Sequence, residues 1–64
     1  MYIYIRQDAP MDSEELYVYY PVLIDREDDN FYYGHYENNG LKWKFAKEDV
    51  YELNSRKYVN RSRL

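Results

Sequence analysis

Along most of this chain, apolar and polar residues alternate with a period of two, the signature of half-buried strands. The clearest case is residues 31–46, a predicted β-hairpin with Asn39-Gly40 at its midpoint. A two-residue turn needs positive φ at both central positions, and that dipeptide supplies it at little cost. The pairing it predicts sets Tyr36 against Trp43, Gly34 against Phe45 and Tyr32 against Lys47. One face then carries Tyr32, Gly34, Tyr36, Leu41, Trp43 and Phe45, and reads as core. The other carries Tyr33, His35, Glu37, Lys42, Lys44 and Ala46, and reads as wet. In this register Glu37 neighbours Lys42, and Phe45 covers the bare backbone at Gly34.

The same period appears upstream. Leu16, Val18, Tyr20, Val22 and Ile24 alternate with Tyr17, Tyr19, Pro21, Leu23 and Asp25, which predicts one long strand. Pro21 lacks a ladder donor, so the strand is expected to bend or bulge there, or to turn that side to an edge. Met1, Ile3 and Ile5 alternate with Tyr2, Tyr4 and Arg6, a strand with two fairly apolar faces. Residues 25–30 form a charged turn, residues 47–49 a tight turn, and residues 50–53 a short last strand. A helix from about Lys47 is the competing reading, supported by Glu52 and Arg56 at i,i+4. About five antiparallel strands around a central Asn-Gly hairpin have the architecture of a small SH3-like barrel. Residues 1–54 are read as that single domain. Residues 55–64 are read as a short basic tail, either a helical turn capped by Asn54 or a loose arm.

Size and composition narrow the possibilities. A 64-residue chain makes one domain, and it buries only roughly 60% of its unfolded surface. There is no cysteine and a single histidine, so neither disulfides nor a Cys/His zinc site can brace it. Ten tyrosines, two phenylalanines and one tryptophan are too many aromatics for a disordered chain. Residues 1–53 hold all twelve acidic groups and only five of the nine basic ones, so the body is acidic. Arg56, Lys57, Arg61 and Arg63 make the tail basic. No targeting signal or membrane-length apolar run is present, which points to the cytosol. Asn60-Arg61-Ser62 matches a glycosylation acceptor by chance in that setting.

Candidate chemistry is sparse. No cysteine is available as a nucleophile, Ser13, Ser55 and Ser62 fall in predicted loops, and His35 sits on the wet hairpin face, so no catalytic constellation forms and a non-enzyme is expected. Asp25, Glu27, Asp28, Asp29 and Asn30 resemble cation ligands in type but lack EF-hand spacing, so no metal or other cofactor is assigned. The tyrosines outside the expected core are more telling. Tyr17, Tyr19 and Tyr33, beside Asp28 and Asp29, compose a partner-binding patch, because tyrosine gives contact area at low entropic cost. The expected activity is protein binding by an inhibitor or adaptor. Its target would be a host or defence-related protein, including one that handles nucleic acid and meets the acidic turns as charge mimics. Small accessory proteins of phages and mobile elements share this composition. The alternative is a barrel that binds single-stranded nucleic acid through Tyr33, His35, Lys42 and Lys44, with Arg56, Lys57, Arg61 and Arg63 as an electrostatic arm. A homodimer through the two-faced strand at residues 1–6 is a further expectation.

Overall fold

The computed structural model describes residues 1–61. They form one six-stranded sheet in the order β4-β3-β2-β1-β6-β5. The strands are β1 (Tyr2–Asp8), β2 (Tyr17–Glu27), β3 (Phe31–Tyr36), β4 (Lys42–Ala46), β5 (Tyr51–Leu53) and β6 (Arg56–Asn60). A single turn of 3-10 helix, Lys47–Asp49, leads from β4 towards β5. The chain is mainly β, as its periodicity predicts. The sheet is mixed, because β1 pairs antiparallel with β2 but parallel with β6. Among the described residues it is not closed into a barrel, since β4 and β5 end the strand order without pairing with each other.

Strand β1 lies between β2 and β6, so both of its apolar faces are used. Ile3 and Ile5 are buried on one side, while Tyr2 and Tyr4 lie on the other. Its hydrogen-bonding edges are occupied on both sides, so the predicted pairing of this strand with a twin has no free edge to use. Strand β2 follows its predicted alternation, with Val22 fully buried. The irregularity expected at Pro21 occurs further along, where a bulge between Ile24 and Arg26 leaves Asp25 as the extra residue. Pro21 is tolerated because the pairing of β2 with β3 ends at Val22 and Tyr36. Beyond that point its carbonyl accepts from the Glu37 amide, and its missing donor falls at the end of the ladder.

The central hairpin forms, but two residues out of the predicted register. Gly34 faces Trp43, Tyr32 faces Phe45 and His35 faces Lys42. Residues 37–40 make a four-residue loop closed by the Gly40 amide on the Tyr36 carbonyl (2.7 Å) and the Tyr36 amide on the Leu41 carbonyl (2.8 Å). Positive φ is needed only at Gly40 in this loop. A slip of two preserves which face each side chain takes, but the face is core only in part. Gly34 and Phe45 are buried and Tyr32 and Tyr36 half-buried, whereas Leu41 and Trp43, predicted as core, are exposed because among the described residues no element covers the β4 end of the sheet. The predicted partners of Glu37 and Phe45 are lost.

The tight turn with two left-handed residues lies elsewhere, at Asn54 (φ 51°) and Ser55 (φ 66°). These join β5 to β6, with Leu53 opposite Arg56. Residues 56–60, predicted as part of a tail, are therefore a sheet strand. The helix alternative from Lys47 is limited to Lys47–Asp49.

Phe45 of β4 shares one core cluster with Ile5 of β1 and Val22 of β2, with Tyr20, Ile24, Tyr36 and Val59 packed against it. In a flat sheet β4 and β1 stand about 14 Å apart, three strand spacings. The sheet must curl around this cluster, making the Ile5 face concave and the opposite face convex.

Two substitutions test this description. A Cβ at buried Gly34 would lie 2.4 Å from the Leu23 carbonyl oxygen and 3.0 Å from Ile24 Cδ1. Gly34→Ala is expected to lower unfolding free energy by about 2 kcal/mol in urea denaturation, because backbone beside a bulge cannot retreat as a side chain can. Ser55→Gly should raise it by up to about 1 kcal/mol, because glycine adopts the left-handed conformation without a Cβ penalty.

Candidate functional site

Strand alternation that turns Ile3, Ile5, Val22 and Phe45 inward turns a different set outward. Tyr2, Tyr4, Tyr17, Tyr19, Tyr33, Tyr51 and Tyr58, seven of the ten tyrosines, share the convex face. They form two groups. In the first, Tyr58 on β6 is the hub, with ring centroids 5.9 Å from Tyr4, 5.8 Å from Tyr19 and 5.7 Å from Tyr51. Tyr2 extends it, 6.3 Å from Tyr4. Two guanidinium groups complete the patch: Arg6 lies 4.3 Å from the Tyr17 ring and 5.9 Å from Tyr51, and Arg56 lies 5.7 Å from Tyr4. Such stacked cations are each worth about 0.5–1 kcal/mol when exposed.

The second group lies at the other end of β2. Arg26 sits 3.8 Å over the Tyr33 ring and Lys44 is 4.6 Å from Phe31. His35 Nδ1 meets Asp25 Oδ2 at 2.9 Å, both groups partly exposed. The bulge makes this contact, because the extra residue turns Asp25 and Arg26 to the same side. Tyr19 and Arg26 are seven residues apart on β2, roughly 20 Å at strand rise, but Tyr2 stands opposite Leu23 and Leu23 opposite His35, so the two groups approach each other across the sheet there.

Charge is sorted between the faces. Arg6, Arg26, Lys42, Lys44 and Arg56 lie on the convex side with only Asp8 and Asp25. Most other carboxylates fall in connections: Asp12, Glu14 and Glu15 after β1, Asp28 and Asp29 after β2, Glu37 after β3, and Glu48 and Asp49 in the 3-10 turn. Glu52 turns to the concave side, where it lies 3.8 Å from Lys57.

The predicted site residues are therefore divided. Tyr17 and Tyr19 belong to the first group and Tyr33 to the second. Asp28 stands beside Tyr33 because it organises the β2–β3 turn. Its Oδ1 accepts from the Asn30 amide (2.8 Å) and the Phe31 amide (2.7 Å), and its Oδ2 from the Tyr33 hydroxyl (2.7 Å). Asp29 is exposed at the turn. In the alternative set, Tyr33, His35, Lys42 and Lys44 do share a face. Arg56 joins the first tyrosine group, Lys57 faces away from it, and Arg61 is exposed after β6. Arg63 lies outside the described residues. Tyr2, Tyr4, Arg6, Tyr51 and Tyr58 were absent from the predicted site. The first three were readable from the period of β1, whereas Tyr51 and Tyr58 needed the pairing of β5 with β6.

The concave face holds a groove of about 510 Å³ above the core, floored by Ile5, Tyr20, Phe45 and Val59 and rimmed by Gln7, Asn38, Asn39, Trp43, Asn60 and Arg61. Among the described residues no three acidic or imidazole side chains gather as a metal site, and no helix is long and apolar enough to cross a membrane. No known protein family, curated protein or solved structure matches this chain.

The Tyr33 hydroxyl, followed by the Asn30 and Phe31 amides, holds the Asp28 carboxyl below its ordinary 3.8. The same contact raises the Tyr33 hydroxyl above 10.0, and Glu27, 2.6 Å from Lys47 Nζ, raises that ammonium above 10.5. A lowered carboxyl stabilises the fold fully above its unfolded value and ceases to do so as pH falls through its folded value. Asp28→Ala should therefore be less stable than wild type at neutral pH by thermal melting, with a gap that narrows steadily once pH drops below 3.8.

Proposed function

We propose that this chain is a small non-enzymatic module that binds another protein through its convex tyrosine–arginine face, acting by occupying that partner's surface as an inhibitor or adaptor does. The observation that carries this reading is the cluster of Tyr2, Tyr4, Tyr19, Tyr51 and Tyr58 with Arg6 and Arg56 on one sheet surface. Tyrosine and arginine dominate the energetic centres of protein interfaces. Here the rings already touch one another, so docking fixes few additional rotamers, which reduces a main cost of association. Tyr17, Tyr19 and Tyr33 keep their assignment as contact residues. Asp29 and the acidic connections form the rim, and Asp28 serves the turn.

A second reading has its own support in the excess of cations over acids on this face. Rings interleaved with Arg26, Lys42 and Lys44 suit stacked bases and phosphates, so single-stranded nucleic acid is the alternative ligand.

One experiment separates the two. Tagged protein is used to capture partners from lysate with and without nuclease, beside Tyr2→Ala/Tyr19→Ala and Lys42→Ala/Lys44→Ala variants. Tyr2 and Tyr19 are 41% and 48% exposed, so their loss leaves the core intact. The expected result is a protein retained after nuclease and bound about tenfold or more weaker by the tyrosine variant. Capture that disappears with nuclease and falls mainly in the lysine variant would replace this reading with the alternative.

A further inference from the structure

We propose that the outer edge of β4, with the groove beside it, receives an extended segment of another protein in which acidic and apolar residues alternate, and that this segment joins the sheet as an added strand. The backbone supplies the first argument. The Leu41 carbonyl accepts from Tyr36 and the Lys47 amide donates to Asn30, each at 2.8 Å, so the odd-numbered positions of β4 bond to β3. Strand groups alternate in direction, so the N–H and C=O groups of Lys42 and Lys44 and the N–H of Ala46 point outward, the Ala46 carbonyl being taken up as the N-cap of the 3-10 turn. Among the described residues no strand pairs with them. Across the groove, β5 covers β6 only from Arg56 to Tyr58. The Arg61 amide donates to the Arg6 carbonyl, so the main-chain groups of Asn60 face away from β1. The gap between β4 and the end of β6 thus has the form of a missing strand.

Side chains on this edge define what fits. Lys42 and Lys44 project to the convex side and Trp43 to the groove side, where it is 59% exposed next to Leu41 at 55%. Residues of an added strand alternate in the same way. Those directly opposite the lysines lie beside ammonium groups, and the intervening ones fall on Trp43 and Leu41. Carboxylates are favoured at the first positions and apolar groups at the second. A second copy presenting its own β4 would set lysine against lysine, which protects this edge from self-pairing. Addition of a strand to a sheet edge is a general mode of peptide recognition, with affinity from the main chain and specificity from alternate side chains.

The test uses the full chain and an octapeptide of alternating glutamate and valine, with an alternating lysine and valine octapeptide as control. Amide hydrogen exchange at Lys42, Lys44 and Ala46 should slow about tenfold or more with the acidic peptide, and Trp43 fluorescence should shift to shorter wavelength. Lys42→Glu/Lys44→Glu should weaken that peptide about tenfold and admit the basic one, while Tyr2→Ala/Tyr19→Ala should change neither response. Unchanged exchange at these amides would overturn the proposal. So would equal response to both peptides, the same protection from an oligonucleotide, or protection that rises with protein concentration in the absence of peptide, which would make a second copy the occupant.

Discussion

Curvature of the sheet is the constraint on which this molecule depends. Among the described residues one sheet has no second layer, so it can bury side chains only by wrapping around them, and Ile3, Ile5, Val22 and Phe45 are the buried apolar residues that result. Right-handed strand twist begins that wrapping. The bulge at Asp25 and the absence of a side chain at Gly34 extend it, since the strand beside a bulge bends and the Leu23 carbonyl occupies the space a Cβ would need. No disulfide assists. The core is small because the chain is short, and each contact in it carries a correspondingly large share of the stability.

The same curvature creates two unlike surfaces. On the outside, strands splay and long side chains rest against one another, some rings stacked and some edge-on, so tyrosine rings and guanidinium groups cover the sheet in place of a second layer. Their polar ends reach water while their rings shield backbone hydrogen bonds. On the inside, incomplete wrapping leaves a groove whose rim includes an exposed tryptophan. The tyrosine face is therefore a structural covering as well as the recognition surface proposed for it, so a substitution there bears on both.

Much of the fold was legible in the chain because a period of two is robust to errors of register. The hairpin at β3 and β4 slid by two residues from its predicted pairing, yet each side chain kept its face; what alternation could not show is that the sheet wraps too little to bury Leu41 and Trp43 on the core side. Turn chemistry was less reliable. Asn39-Gly40 is the stronger sequence signal, but Gly40 alone adopts positive φ in a four-residue loop, and the two-residue turn fell to Asn54-Ser55. Ser55 gives no local sign of that conformation, and tertiary pairing imposes it. Strand β6 was hidden for a related reason. Arg56, Lys57, Tyr58, Val59 and Asn60 read as a polar tail until β1 is known to offer them a parallel partner. The tyrosine hub at Tyr58 was hidden with it.

That parallel pairing also orders the assembly of the molecule. Strands β1 to β4 are joined by short connections and pair with their sequence neighbours, whereas Ile3 meets Lys57 across nearly the whole chain. Closing so long a loop costs entropy before any contact compensates for it. That entropy favours a route in which the meander pairs first with one side of β1 open and the β5–β6 hairpin docks on it afterwards. On that route the strand that carries Ile3 and Ile5 keeps an open edge until the last hairpin arrives, and an unpaired strand edge is where a chain is most open to pairing with another.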